Sequence, residues 1–140
     1  MGLNTRLGLV LLVDDSDGDN TFHPIVIEEY GLAEQIRAEL TAERALAYLK
    51  TRGMTPEAPP PDLIFLDINL PGMDGWEFFK RYHELDAQHH ARALVVMLTT
   101  STDPRDHARA EALDLPFFSK PLTHESIDRI VQKLFPEMWR

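Results

Sequence analysis

Short apolar runs alternate with amphipathic helical patterns along the chain, and this alternation limits the possible folds more than any other feature. The run Leu63–Leu66 is apolar on both faces, which is typical of a strand in the middle of a parallel sheet. The other predicted strands are Leu7–Val13, Glu34–Leu40, Ala93–Leu98 and Leu115–Phe118. Because a helical pattern follows each strand, the sequence predicts an α/β fold, with one parallel sheet covered by helices on both faces.

Capping residues predict where the helices begin and end. A helix over Phe22–Tyr30 is predicted to end at Gly31, which can adopt the left-handed backbone of a C-cap. Side chains that can cap the later helices at their N-termini are Thr41, Asp74, Asp103 and Thr123. The stretch Gly53–Asp62 contains four prolines and is predicted to be a surface loop.

Composition excludes several classes of protein. The chain has 140 residues, the size of one ordinary domain, and residues 1–140 are predicted to form a single domain with no output domain. It has no cysteine, which excludes disulfides, thiolate nucleophiles and cysteine-bound zinc. A net charge of -9 opposes direct binding to nucleic acid. With no secretory signal and no apolar run near the ~18 residues of a membrane span, the expected location is the cytoplasm.

Three carboxylates follow two of the predicted strands. Asp14 and Asp15 come directly after the first strand, and Asp67 comes directly after the third. If both strands belong to one parallel sheet, these side chains meet at its carboxyl edge, where like charges disfavour their own ionised forms. Such a cluster usually persists because a divalent cation lies between the acids. The sequence therefore predicts a Mg²⁺ site at this edge.

Two further polar side chains are expected at the same edge. Thr99 ends the fourth predicted strand, and Lys120 lies just beyond the fifth. In a flavodoxin-like (βα)5 sheet of strand order 2-1-3-4-5, ligands bind at this edge between the first and third strands. Asp67 could act there as a nucleophile toward a phosphoryl group, with Thr99 and Lys120 holding phosphoryl oxygens. Phosphoryl transfer requires mainly positioning and charge stabilisation, which these groups supply.

Four segments, in this order and spacing, carry a resemblance to a known family: Val13-Asp14-Asp15, Asp67–Gly75, Leu98-Thr99 and Lys120-Pro121. Over essentially its full length the chain resembles the receiver domain of two-component response regulators, of the stand-alone, chemotaxis type. The resemblance implies that Asp67 accepts a phosphoryl group, that Thr99 is the switch hydroxyl and that Lys120 pairs with the phosphate. It implies a magnesium site made by these groups: Asp14, Asp15, Asp67 and the backbone carbonyl of Asn69.

The resemblance also implies partners and a mode of switching. The phosphoryl donor would be a sensor histidine kinase or a histidine phosphotransfer protein, and the output would be contact with a downstream protein. The amphipathic last helix makes a homodimer a further candidate. Phe117 stands where many members carry a switch tyrosine, and Thr100 stands where a smaller residue is usual. The segment Asp15–Asn20 is more acidic than in typical members of the family.

Three other functions remain as alternatives. A phosphorelay shuttle or phosphate sink would need the same site but no output contact. A magnesium-dependent phosphatase with an aspartyl nucleophile usually carries a second acid two residues later, where this chain has Asn69, which cannot act as acid or base. A pure interaction module would have no working site, although this chain carries every side chain named above for phosphoryl chemistry.

Overall fold

Five parallel strands form one sheet in a computed structural model that describes residues 3–52, 57–86 and 93–139. The strands are β1 Leu7–Val13, β2 Ala33–Glu39, β3 Leu63–Leu66, β4 Leu94–Thr99 and β5 Phe117–Ser119. Their spatial order is β2-β1-β3-β4-β5, and every neighbouring pair is parallel. The predicted fold class and strand order are therefore confirmed.

Helices follow the strands and cover both faces of the sheet. They are α1 Asp17–Tyr30, α2 Ala42–Thr51, α3 Gly75–Asp86, α4 Pro104–Ala112 and α5 His124–Leu134, with a short 3-10 turn at Pro136–Met138. Helices α1 and α5 pack on one face, and α2, α3 and α4 contribute to the apolar cluster on the other. Within the described residues, each helix is too short or too polar to span a bilayer.

The central strands β1 and β3 are apolar on both sides because each face of the sheet meets a layer of helices. In β1, Val10 and Leu12 join the core under α1 and α5, whereas Leu11 and Val13 join the core on the opposite face. All four residues of β3 are buried. Two buried faces explain why the central strands are continuous apolar runs and not alternating ones.

The predicted caps are confirmed. The side chains of Thr41, Asp74, Asp103 and Thr123 each accept a hydrogen bond from a backbone N–H in the first turn of their helix. Gly31 ends α1 with φ 79°, in the left-handed region. Residues 57–62 of the predicted loop Gly53–Asp62 form neither helix nor strand, and residues 53–56 lie outside the described part of the chain.

The predicted start of α1 at Phe22 is wrong. The helix begins at Asp17, where Ser16 is the N-cap and accepts a hydrogen bond from the Asp19 backbone N–H. Residues 17–21 are polar and show no apolar period, so hydrophobic patterning could not mark them as helical. Acidic side chains in a first turn also interact favourably with the helix dipole. The acidic segment is therefore the beginning of α1.

The bounds of the strands differ from prediction for local reasons. The fifth strand was predicted over Leu115–Phe118 but spans Phe117–Ser119. The backbone N–H of Leu115 donates to the Ala110 carbonyl and closes the end of α4, so it is not available to the sheet. Strands β2 and β4 are each displaced by one residue from their predicted ranges, Glu34–Leu40 and Ala93–Leu98.

Candidate functional site

Three carboxylates meet at the carboxyl edge of the sheet. Strand β1 pairs with β3 so that Val13 lies opposite Leu66, and the next residues, Asp14 and Asp67, emerge side by side. Each of Asp14, Asp15 and Asp67 has an oxygen within 4.8 Å of the others. Asp14 and Asp67 are buried, and Asp15 is exposed. The sheet thus brings the three predicted carboxylates together.

Lys120 lies at the centre of this cluster. Its Nζ is 2.6 Å from Asp14 Oδ2 and 3.0 Å from Asp67 Oδ2. Its backbone N–H donates to the Thr99 carbonyl at 3.0 Å, which extends the pairing of β4 with β5 and aims the side chain at the edge. Only 9% of the side chain is exposed. One buried ammonium therefore contacts two of the three predicted carboxylates.

A fourth carboxylate, which sequence reasoning missed, belongs to the same network. Asp19 Oδ2 is 2.7 Å from Lys120 Nζ. Sequence patterning placed Asp19 in a loop because it began the helix at Phe22. The Ser16 cap puts Asp19 in the first turn of α1, beside the end of β1. A capping residue ahead of an acidic segment, Ser16 before Asp17, was the signal that could have revealed this position.

Burial and hydrogen bonding shift the pKa values of this network. Burial raises the pKa of Asp14, although its bonds to Lys120 and to the Ser16 N–H act in the opposite direction. The hydrogen bond from Lys120 lowers the pKa of Asp19, which is much less buried. Burial opposes the charge on Lys120, but the bonds to the carboxylates together outweigh it and raise the lysine pKa. Lys120 is therefore a cation that serves as an internal counter-ion for the cluster.

The donor set fits a hard divalent cation. Asp67 Oδ1 is buried and has no hydrogen-bond partner among the described residues, which leaves one acceptor of the cluster unsatisfied. Mg²⁺ prefers oxygen ligands and is usually held by one or two carboxylates together with water. Asn69 follows two residues after Asp67 in the same loop, with its side chain exposed. The carboxylates that can hold the ion are Asp14, Asp15 and Asp67, and the contribution of the Asn69 backbone carbonyl stays a prediction.

The loop after Asp67 folds tightly back on the strand. The Gly75 N–H donates to the Ile68 carbonyl at 2.9 Å. A Cβ atom at position 75 would lie 2.3 Å from the Asp67 carbonyl oxygen, closer than Cβ atoms approach other atoms in proteins. The absence of a side chain at position 75 therefore lets the loop pass close beside the backbone of Asp67.

Thr99 and its loop form the other wall of the site. Thr99 is fully buried at the end of β4, and its Oγ1 accepts a hydrogen bond from the Ser101 N–H at 3.2 Å. Ser101 Oγ bonds to Asp106, which also accepts a bond from Trp76 Nε1 at 3.3 Å. The β4–α4 loop is thus tied to α3 as well as to α4.

The remaining residues singled out in the sequence lie at the rim or farther away. Phe117 is half-buried, and its ring centroid is 3.8 Å from that of His107 on α4. Thr100 is exposed. The ring contact joins β5 to α4, so a movement of Phe117 would change the surface between these two elements.

The chain is similar to proteins of one family. Residues 10–132 match the model of the response regulator receiver domain. Response regulator Rcp1 of Synechocystis sp. is 33% identical over 101 residues, covering 70% of this chain and 65% of that protein. Sporulation initiation phosphotransferase F of Bacillus subtilis is 28% identical over 118 residues, covering 80% and 91%. The crystal structure of a two component response regulator from Cytophaga hutchinsonii superposes with a TM-score of 0.80 at 31% identity, covering 94% and 99%.

Proposed function

Because this chain belongs to the response regulator receiver domain family, we propose that it accepts a phosphoryl group on Asp67 and signals through phosphorylation-dependent protein contacts. The observation that carries the proposal is the buried Lys120 ammonium, 3.0 Å from Asp67 and 2.6 Å from Asp14. A cation fixed beside a buried carboxylate neutralises the charge of an incoming phosphoryl group at the point where it must bind. As a receiver domain the chain is a phosphoacceptor and not a turnover enzyme.

The transfer step has a simple balance. A carboxylate oxygen of Asp67 attacks phosphorus, and the bond between phosphorus and the donor nitrogen breaks. The electron pair of that bond stays on the nitrogen of the donor histidine, and because the other ring nitrogen of the phosphorylated donor carries a proton, the ring leaves as neutral imidazole. Lys120 exchanges one carboxylate contact for a phosphoryl oxygen. A magnesium ion held by Asp14, Asp15, Asp67 and the backbone carbonyl of Asn69 would supply positive charge toward the phosphoryl oxygens during transfer.

Switching would begin at Thr99. The phosphoryl dianion is a strong acceptor, so it draws the Thr99 hydroxyl toward Asp67 and away from the Ser101 N–H, which it now contacts at 3.2 Å. Phe117 then shifts toward the space that Thr99 leaves and breaks its ring contact with His107. The surface formed by α4, β5 and α5 changes in consequence, and a partner that prefers the new surface binds more tightly.

The partners follow from the chemistry of the donor and of the changed surface. Receiver domains take their phosphoryl group from histidine kinases or histidine phosphotransfer proteins, so we propose one of these as the donor and a downstream protein as the target. Homodimerisation through the same surface is a further proposal. A single domain over residues 1–140 and a cytoplasmic location stay predictions.

Intact mass measurement tests the phosphoacceptor. The protein is incubated with Mg²⁺ and acetyl phosphate, beside Asp67→Asn and beside the parent protein in the presence of a chelator. One added phosphoryl group is expected in the parent with Mg²⁺ and none in either control. Equal addition to Asp67→Asn would show that another residue is the phosphoacceptor. No addition to any sample would favour an interaction module without phosphoryl chemistry.

A phosphorelay shuttle is the second candidate, favoured by the similarity to sporulation initiation phosphotransferase F. The shuttle requires that Asp67 return its phosphoryl group to a histidine. Mixing the phosphorylated protein with a panel of histidine phosphotransfer domains tests this. Rapid loss of label from this chain, with gain by a phosphotransfer domain, would favour the shuttle over a signalling output.

A further inference from the structure

We propose that Asp19 is a positioning residue of this site, which holds the Lys120 ammonium at the cluster and sets the balance between metal binding and retention of the phosphoryl group. The proposal rests on the proposed function, since it concerns the same Asp67 site. It gives a role to the acidic start of α1, which the metal and phosphoryl chemistry leave unexplained.

The geometry uses every donor of the lysine. Lys120 Nζ lies 2.6 Å from Asp14, 2.7 Å from Asp19 and 3.0 Å from Asp67. An ammonium has three N–H donors and no acceptor, so all three are engaged by carboxylates. When a phosphoryl oxygen binds, Lys120 must release one of them. Asp19 is the partner that competes with the phosphoryl group for Lys120 without itself belonging to the candidate metal ligands.

The fold fixes both ends of this contact. Ser16 caps α1 by accepting the Asp19 backbone N–H at 3.2 Å, which fixes the backbone of Asp19 in the first turn. Asn20, the next residue, donates from Nδ2 to the Asp14 carbonyl at 2.8 Å and ties this turn to the end of β1. Lys120 is fixed by its own backbone bond to Thr99. The Asp19–Lys120 pair thus joins two anchored elements and is not a chance meeting of mobile surface side chains.

Removal of the Asp19 charge should have opposite effects on two ligands. The cluster would lose one of its negative charges, so a metal cation would be attracted less strongly. The phosphoryl dianion would meet less repulsion and a lysine that is bound more weakly at position 19, since an amide oxygen is a weaker acceptor than a carboxylate, so the phosphoryl group would be held longer. Removal of a residue that served only to support the fold would lower both the metal affinity and the lifetime of the phosphoryl group. A lower metal affinity together with a longer phosphoryl lifetime is therefore the result that distinguishes the positioning role.

The test compares Asp19→Asn with a matched control, Asp17→Asn. Both variants remove one carboxylate from the first turn of α1, so their effects on the helix are alike. Asp17 is exposed and is not among the partners of Lys120. Thermal unfolding of both variants checks that the fold is retained. The first measurement is calorimetric titration of the unphosphorylated proteins with Mg²⁺, which requires no phosphodonor.

For Asp19→Asn we expect the Mg²⁺ dissociation constant to rise by about threefold to tenfold, and for Asp17→Asn to stay within about twofold of the parent. The second measurement is the half-life of the phosphorylated protein at saturating Mg²⁺. Asp19→Asn should lengthen this half-life, whereas Asp17→Asn should leave it unchanged.

Two results would overturn the role of Asp19. Equal Mg²⁺ affinities and equal phosphoryl half-lives in the two variants would show that the Asp19–Lys120 contact affects neither ligand. A loss of both metal affinity and phosphoryl lifetime in Asp19→Asn would show a structural role alone. Failure of the parent to take up a phosphoryl group would instead overturn the proposed function and the claim about retention, and the Mg²⁺ titration would still decide whether Asp19 governs metal binding.

Discussion

The carboxyl edge of the sheet and the outer surfaces of the helices both carry ion pairs of nearly the same length. At the edge, Lys120 meets its carboxylates at 2.6 to 3.0 Å. On α5, Arg129 meets Glu125 at 3.0 Å, with 69% and 78% of the two side chains exposed. Water screens the surface pair and competes for both partners, so such pairs contribute little to stability. At the edge, burial couples several groups, so the loss of one partner leaves the others uncompensated.

This contrast shows that the length of an ion pair does not determine its contribution to stability. That contribution depends on burial and on the number of partners that the charged groups share. Three features make the edge responsive: a cation shared by several carboxylates, an unsatisfied carboxylate oxygen and burial from solvent. Binding of a metal ion or a phosphoryl group changes the balance there, whereas the helix surface would barely respond.

Removal of the central cation should give the largest effect. In Lys120→Met, without metal, the free energy of unfolding should fall by about 3 kcal/mol at neutral pH, because buried carboxylates lose their counter-ion. In the surface control Arg129→Met the change should stay within about 0.5 kcal/mol. Urea unfolding measures both. Equal losses in the two variants would remove the distinction between the edge and the surface.

The second largest effect is expected when two glycines near the site are each replaced by alanine. Gly75→Ala places a Cβ 2.3 Å from the Asp67 carbonyl, so the loop must move, and we expect a loss of about 2 kcal/mol in the free energy of unfolding. At Gly18, on α1, the nearest atom would be 3.7 Å away, an ordinary contact, and Gly18→Ala should stabilise the protein by about 0.5 kcal/mol. Unfolding midpoints and Mg²⁺ affinity measure these changes. A Gly75→Ala protein with unchanged stability and metal affinity would show that the tight loop does not position Asp67.

Two acids that contact the same ammonium should show a smaller, pH-dependent difference. The folded pKa of Asp14 is raised above its ordinary value of 3.8, so its contribution to stability falls as pH rises from 3.8 through the raised pKa. The folded pKa of Asp19 is lowered, so its contribution is present above 3.8 and is lost as pH falls below it. Relative to the parent, Asp14→Asn should gain stability with rising pH, and Asp19→Asn should lose it.

Free energies of unfolding at several pH values, with a chelator present, test this difference. The parent supplies the reference at each pH, and only the pH-dependent part of each difference is compared. Parallel curves for the two variants would contradict the assignment of opposite pKa shifts to burial at Asp14 and to the lysine contact at Asp19.

The sequence was sufficient where a residue's place depends on the topology of the sheet. Asp14, Asp67 and Lys120 follow strands and Thr99 ends one, and parallel strands must bring their carboxyl ends to one edge. Asp19 was missed because its place depends on a single capping bond to Ser16, which no hydrophobic period announces. Such local bonds also compete with regular pairing, as at the start of the fifth strand, and only the folded chain decides between them.

The proposed mechanism depends most on Asp67 as the phosphoacceptor among four neighbouring carboxylates. The phosphorylated protein can be reduced with borohydride, which converts an aspartyl phosphate to homoserine, and then digested and mapped by mass spectrometry. If Asp67 is the phosphoacceptor, homoserine is expected at position 67, with Asp14, Asp15 and Asp19 unchanged. Homoserine at one of those three positions, with Asp67 intact, would contradict this assignment.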